Sequence, residues 1–188
     1  MPVIDQELQE FEALLQYMEQ AELKAMNFPT AGAARGERGV QLLYEKAKWA
    51  VVPGIPGHTL TSPGPDLIAW TKQGEMELRI IDNKSGKQEP VTKASALMPQ
   101  SLMRNLGPII WSLRVHYSAY PRVLEAKGLL WKTLGAVIEG KPLPPRVSLY
   151  VTNFDGQATR IAPALKRRSP YSIQVEDLRP LMTQKVLD

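Results

Sequence analysis

Apolar residues recur at helical spacing near the start of the chain. From Asp5 to Asn27, Leu8, Phe11, Leu15 and Met18 form one stripe, widened by Leu14 and Ala21, with Glu, Gln and Lys on the opposite face. Asn27-Phe-Pro-Thr-Ala-Gly ends that helix. A second helix is predicted from Ala33 to Trp49, with Val40, Leu43, Tyr44 and Ala47 inside. Pro and Gly then crowd the stretch from Val52 to Pro65, which cannot hold regular structure for long. Beyond it the period shortens to two. Asp66 to Lys72 and Met76 to Asn83 read as strands, joined around Gln73-Gly74-Glu75 as a hairpin.

Helical pieces are predicted from Thr92 to Ser118, broken at Gly107-Pro108, and from Pro121 to Glu139 with Leu124, Leu130, Leu134 and Val137 inside. After the linker Lys141 to Pro145, Arg146 to Asn153 alternates as a strand with Val147, Leu149 and Val151 inward, and Asp155-Gly156 is its turn. The last stretch, Arg160 to Asp188, carries Lys166-Arg167-Arg168 and a short helix near Glu176. Trp49, Trp70, Trp111 and Trp131 lie on periodic apolar faces and read as core. The element order predicts one α/β domain, a mixed sheet flanked by helices. Its expected parts are an N-terminal helix (residues 1–30) packed on a core (31–160), with a C-terminal extension (161–188).

At 188 residues, 44% apolar and 22% charged, the chain has the size and composition of one globular domain. The absence of cysteine excludes disulfides, thiolate catalysis and cysteine zinc sites. It fits folding in a reducing cytosol, and equally a chain threaded through a secretion machine. The acidic start, Met1-Pro-Val-Ile-Asp-Gln-Glu, lacks the apolar segment of a signal peptide, and the longest apolar run, Leu129 to Ile138, is interrupted by Lys132. The expectation is therefore a soluble, cytoplasmic protein with no membrane partner. A net charge of +4 suits a polyanionic partner without demanding one. With only His58 and His116, histidine-pair and histidine-metal nucleases are poorly supported, and neither Gly-x-Ser-x-Gly nor a P-loop occurs.

The chemistry concentrates in the hairpin. Asp82 and Lys84 stand two residues apart at the end of a strand, on one face. Leu78 and Ile80 precede them on that face and Ile81 points the other way, the pattern of a buried central strand that delivers charge to a cleft. With a three-residue loop, Lys72 pairs with Met76 and Asp66 lies opposite Asp82, at a Cβ separation of roughly 5 Å. Carboxylates that close repel unless a cation lies between them. A two-residue loop would instead set Asp66 against Ile81, on the wrong face. The plain alternative is an exposed Asp82–Lys84 ion pair of little energetic weight.

Pro65-Asp66, a hairpin, then Asp82-Asn83-Lys84 after an apolar strand resembles the PD-(D/E)XK, or restriction-endonuclease-like, nuclease superfamily. The resemblance covers about residues 36–100. It implies a restriction-endonuclease-like fold, with Asp66 and Asp82 as ligands of Mg2+ (or Mn2+) and Lys84 as the catalytic lysine. Many members add a glutamate on an early helix, and Gly36-Glu37-Arg38-Gly39-Val40 matches that element, making Glu37 a further ligand. Some add a glutamine or lysine on the helix after the core strand, for which Gln100 and Lys93 are the candidates. The implied activity is metal-dependent phosphodiester hydrolysis, on DNA rather than RNA by the family's leaning, in a repair, mobile-element or bacterial toxin setting. A homodimer, or an inhibitory partner if the chain is a toxin, are the protein partners it admits. The competing reading is a non-catalytic nucleic-acid-binding or assembly module on the same fold. For Lys166-Arg167-Arg168, phosphate contact and a solvated basic turn stand level.

Overall fold

The computed structural model describes residues 40–41, 44–45, 47–53, 64–84, 90–153 and 159–178. The expected helix from Asp5 to Asn27 lies outside them, as do Glu37 and His58. Five strands form one mixed sheet in the order β1-β2-β3-β4-β5: β1 (Trp49–Pro53), β2 (Leu67–Thr71), β3 (Leu78–Asn83), β4 (Val147–Asn153) and β5 (Ile173–Asp177). Strand β2 runs antiparallel to both β1 and β3, whereas β3, β4 and β5 are mutually parallel. Parallel neighbours need crossover connections. A 3₁₀ turn (Ser95–Leu97), α1 (Pro99–His116) and α2 (Val123–Glu139) join β3 to β4, and the short α3 (Pro163–Arg168) joins β4 to β5.

The alternation of β3 sorts the two faces. Leu78 and Ile80 join Ile68, Trp70, Leu149 and Val151 in the main core, covered by Leu102, Leu106 and Ile109 of α1 and Ala126 and Leu130 of α2. Ile81 faces the other way, into a smaller cluster with Val51, Leu67, Ala69, Val40 and Tyr44. Residues 40–41 and 44–45 are helical, so the sheet carries helix on both faces. The whole is one α/β unit, and no helix among the described residues is long and apolar enough to cross a membrane.

Several expectations need correcting. Trp49 opens β1 instead of closing a helix, because Lys48 takes a left-handed conformation (φ 63°) that ends the helical backbone. The expected break at Gly107-Pro108 does not occur: α1 runs through Pro108. One missing backbone donor is tolerated because Leu102, Leu106, Ile109 and Leu113 hold both halves of the helix against the core. On α2 the inward face is Val123, Ala126, Leu130, Thr133 and Val137, which turns Leu124 out to 76% exposure. Trp111 and Trp131, expected in the core, are 57% and 65% exposed. Glu176 sits in β5, not in a helix, so residues expected to form an extension supply α3 and the sheet's last strand.

On the face of the smaller cluster, Arg79 lies 4.2 Å from the ring centre of Tyr150 and 4.5 Å from that of Trp49, and it pairs with Glu176. The Tyr44 hydroxyl accepts from Arg79 Nη1 at 3.0 Å and donates to Glu176 Oε2 at 3.1 Å. One guanidinium thus ties the helical residues to β1, β3, β4 and β5. Burial, and then the Glu176 carboxylate beside it, pushes the Tyr44 phenol well above its ordinary value. The native state therefore holds this proton more tightly than the unfolded chain, whose tyrosines ionise near pH ~10. The stabilisation is complete below that pH and is lost as pH rises toward the folded value, by up to ~1.4 kcal/mol per unit. Between pH 9 and pH 11 in urea, the protein should lose about 1 kcal/mol more stability than its Tyr44→Phe variant. Equal losses would contradict the assignment.

Candidate metal and catalytic site

The site is built on the β2–β3 hairpin. Leu67 pairs with Ile81 and Trp70 with Leu78, the register that sets Lys72 across from Met76 and leaves Gln73, Gly74 and Glu75 as the loop. This is the three-residue loop that the two carboxylates require. Gly74 accepts the left-handed turn (φ 71°), and its carbonyl receives Arg122 Nη1 at 2.9 Å. Trp70 Nε1 donates to Pro121 O at 2.7 Å, fastening the hairpin to the α1–α2 connection.

At the other end of the hairpin the ladder changes character. The Asp66 N–H donates to Ile81 O at 2.9 Å, on the residue that Leu67 already faces. Its carboxylate Oδ2 then takes the Asn83 N–H at 2.7 Å. In an uninterrupted ladder that donor would meet a main-chain carbonyl. The side chain of Asp66 has replaced it, so its carboxylate is fixed one peptide from Asp82.

Asp82 is only 3% exposed. Its Oδ1 lies 2.9 Å from Lys84 Nζ. Lys84 N donates to Thr152 O at 2.8 Å, which extends the parallel β3–β4 pairing by one step and fixes the lysine's backbone. Asp82 and Lys84 thus end the row that begins with Leu78 and Ile80, at the carboxyl end of the central strand. Ligands of open α/β sheets bind at that end. The neighbouring positions are also polar: Thr152 and Asn153 of β4 are fully buried, and Asn153 pairs in register with Asp177.

The structure therefore brings Asp66, Asp82 and Lys84 together. Gln100 is exposed on the first turn of α1, and no hydrogen bond joins it to the three among the described residues; Lys93 is likewise exposed. Among the described residues no group of three or more His, Cys, Asp or Glu could hold a metal. Two aspartates are nonetheless a donor set that suits Mg2+ or Mn2+, which take one or two carboxylates and complete their shell with water and phosphate oxygens. Asn83, Thr152 and Asn153 are the polar residues of this edge that the sequence did not flag. The signal for them was positional, since each falls where an apolar strand ends.

Pairing with Lys84 offsets part of the cost of burying the Asp82 charge. Lys84→Met should lower the stability of the metal-free protein by about 1–3 kcal/mol in urea unfolding, and adding Asp82→Asn should recover most of that loss. A Lys84→Met protein as stable as the parent would sink this description of the pair. No family model, curated protein or solved structure matches the chain.

Proposed function

We propose that the protein is a metal-dependent nuclease of the restriction-endonuclease-like type that hydrolyses phosphodiester bonds, with DNA as its substrate. The observation that carries this reading is the convergence of the Asp66 carboxylate, buried Asp82 and Lys84 at one end of the central strand. The sheet order supports the fold assignment: strands run in sequence, antiparallel through β3 and parallel from β3 to β5, with helix on both faces.

In this reading Asp66 and Asp82 hold a divalent cation, with Glu37 as a further ligand. Bound there, the ion supplies Lewis-acid charge at the phosphoryl oxygens and a more acidic water. The chain's own groups do the rest. The Asn83 N–H orients the Asp66 carboxylate, and burial keeps Asp82 from rotating into solvent. The Lys84 ammonium, 2.9 Å from Asp82 Oδ1, is placed to hydrogen-bond the attacking water or a non-bridging phosphate oxygen and to stabilise the charge that develops there. The water oxygen attacks phosphorus and gives up a proton to solvent, a P–O ester bond breaks, and the departing oxygen takes up a proton from solvent. Exposed Lys166, Arg167 and Arg168 in the last turn of α3 can contact substrate backbone.

Supercoiled plasmid incubated with Mg2+ or Mn2+ should be nicked, and EDTA should abolish nicking. Asp82→Ala and Lys84→Ala should each reduce the rate by at least about 100-fold. Cutting that survives both substitutions would reject the site. Failure to cut DNA or RNA with either metal would reject the nuclease reading.

A further inference from the structure

The α1–α2 hairpin exposes Met103, Trp111 and Val115 on α1 and Leu124, Trp131 and Ile138 on α2. The two helices follow one another across the short connection between His116 and Val123, and each presents large apolar side chains to the outside. On α2, Leu124, Gly128, Trp131, Gly135 and Ile138 follow one another at steps of four and three residues and form a single stripe. A Cβ added at Gly128 or Gly135 would meet nothing within 4 Å. Large apolar side chains therefore alternate with open notches. Along one flank of the stripe, Glu125, Lys132 and Glu139 alternate in sign every seven residues.

We infer that this face is a homodimer interface, in which α2 packs antiparallel on α2 of a second copy about a two-fold axis beside Gly128. In that register Glu125 of each copy faces Lys132 of the other, and the symmetry makes the pair twice. Trp131 of each copy falls between Leu124 and Gly128 of the other, where the glycine lets the backbones approach. Glu125 is already held in place by Arg122, whose Nη2 lies 2.9 Å from Glu125 Oε2. Reversed charges at matching positions are what a self-complementary surface needs, and contiguous exposed apolar area of this kind marks an interaction site. The proposal does not depend on phosphodiester chemistry.

Sedimentation equilibrium of the full chain tests it. The expected result is a dimer that Leu124→Asp weakens by at least about 100-fold. Lys132→Glu and Glu125→Lys should each weaken it by about tenfold, and the double reversal Glu125→Lys/Lys132→Glu should return it to within about threefold of the parent. Leu124, Glu125 and Lys132 are exposed, and because Glu125→Lys also removes the partner of Arg122, circular dichroism of each variant checks that the fold is kept. A chain that stays monomeric up to about 100 µM overturns the proposal. So does a dimer indifferent to Leu124→Asp and the reversals. A monomer whose Trp111 and Trp131 resist acrylamide quenching also overturns it.

Discussion

The registration of β2 against β3 is the constraint on which the rest depends. Side chains alternate along a strand with a period of two, so a slip of one residue would carry Trp70 and Ile68 off the main core and move the Asp66 carboxylate away from the Asn83 N–H beside Asp82. Three contacts resist that slip. Gly74 closes a three-residue loop, Arg122 holds that loop by its carbonyl, and Trp70 is tied to Pro121. The apolar rows on both faces of β3 oppose the slip as well, because it would bring Arg79 into the main core and expose Ile80 or Ile81. The acids are thus positioned by packing some distance from them.

Such a site is costly, which is a reason to connect it with function. Asp82 could have been another isoleucine in a strand whose neighbours are apolar on both faces. Instead a carboxylate is buried there, offset by one lysine, while Asp66 occupies a place in the ladder normally filled by a main-chain carbonyl. Clusters of like charge at a strand end are stable only with a cation or hydrogen bonds to share the charge. Arg79 offers a contrast on the other face. Its guanidinium lies over three aromatic rings and pairs with Glu176 and Tyr44. The Arg79 charge fastens the helical residues to the sheet, whereas the Asp82 charge lies at the carboxyl end of the central strand.

The hairpin was legible in the sequence because its two signals are local: alternation on both sides and a glycine in a short polar loop. The same is true of β4, with Val147, Leu149 and Val151 buried as expected. What escaped was set by distant contacts. The strand β1 is only Trp49–Pro53, and it pairs along the edge of β2 where proline punctuation suggested loop. Strand β5 is not strongly apolar and gains its structure by pairing with β4. The continuity of α1 through Pro108 depends on packing, which outweighs the local preference. On α2, several leucines and a tryptophan could have marked the inner face. Small residues, Ala126 and Thr133, take it instead, because α1 lies close, and this leaves Leu124 and Trp131 outside. Of the candidate site, Asp66, Asp82 and Lys84 were readable from spacing within one hairpin. Gln100 had no such spacing to fix it, and Glu37 lies outside the described residues.

We propose that Asp66 and Asp82 share one divalent cation. Titration with Mn2+, followed by the loss of the free-ion paramagnetic resonance signal, measures that binding without any substrate. One site per chain is expected in the parent protein, weakened at least about tenfold by Asp66→Asn and by Asp82→Asn, with Gln100→Ala leaving it unchanged. Undiminished Mn2+ binding in Asp66→Asn and Asp82→Asn, with both variants folded, would contradict it.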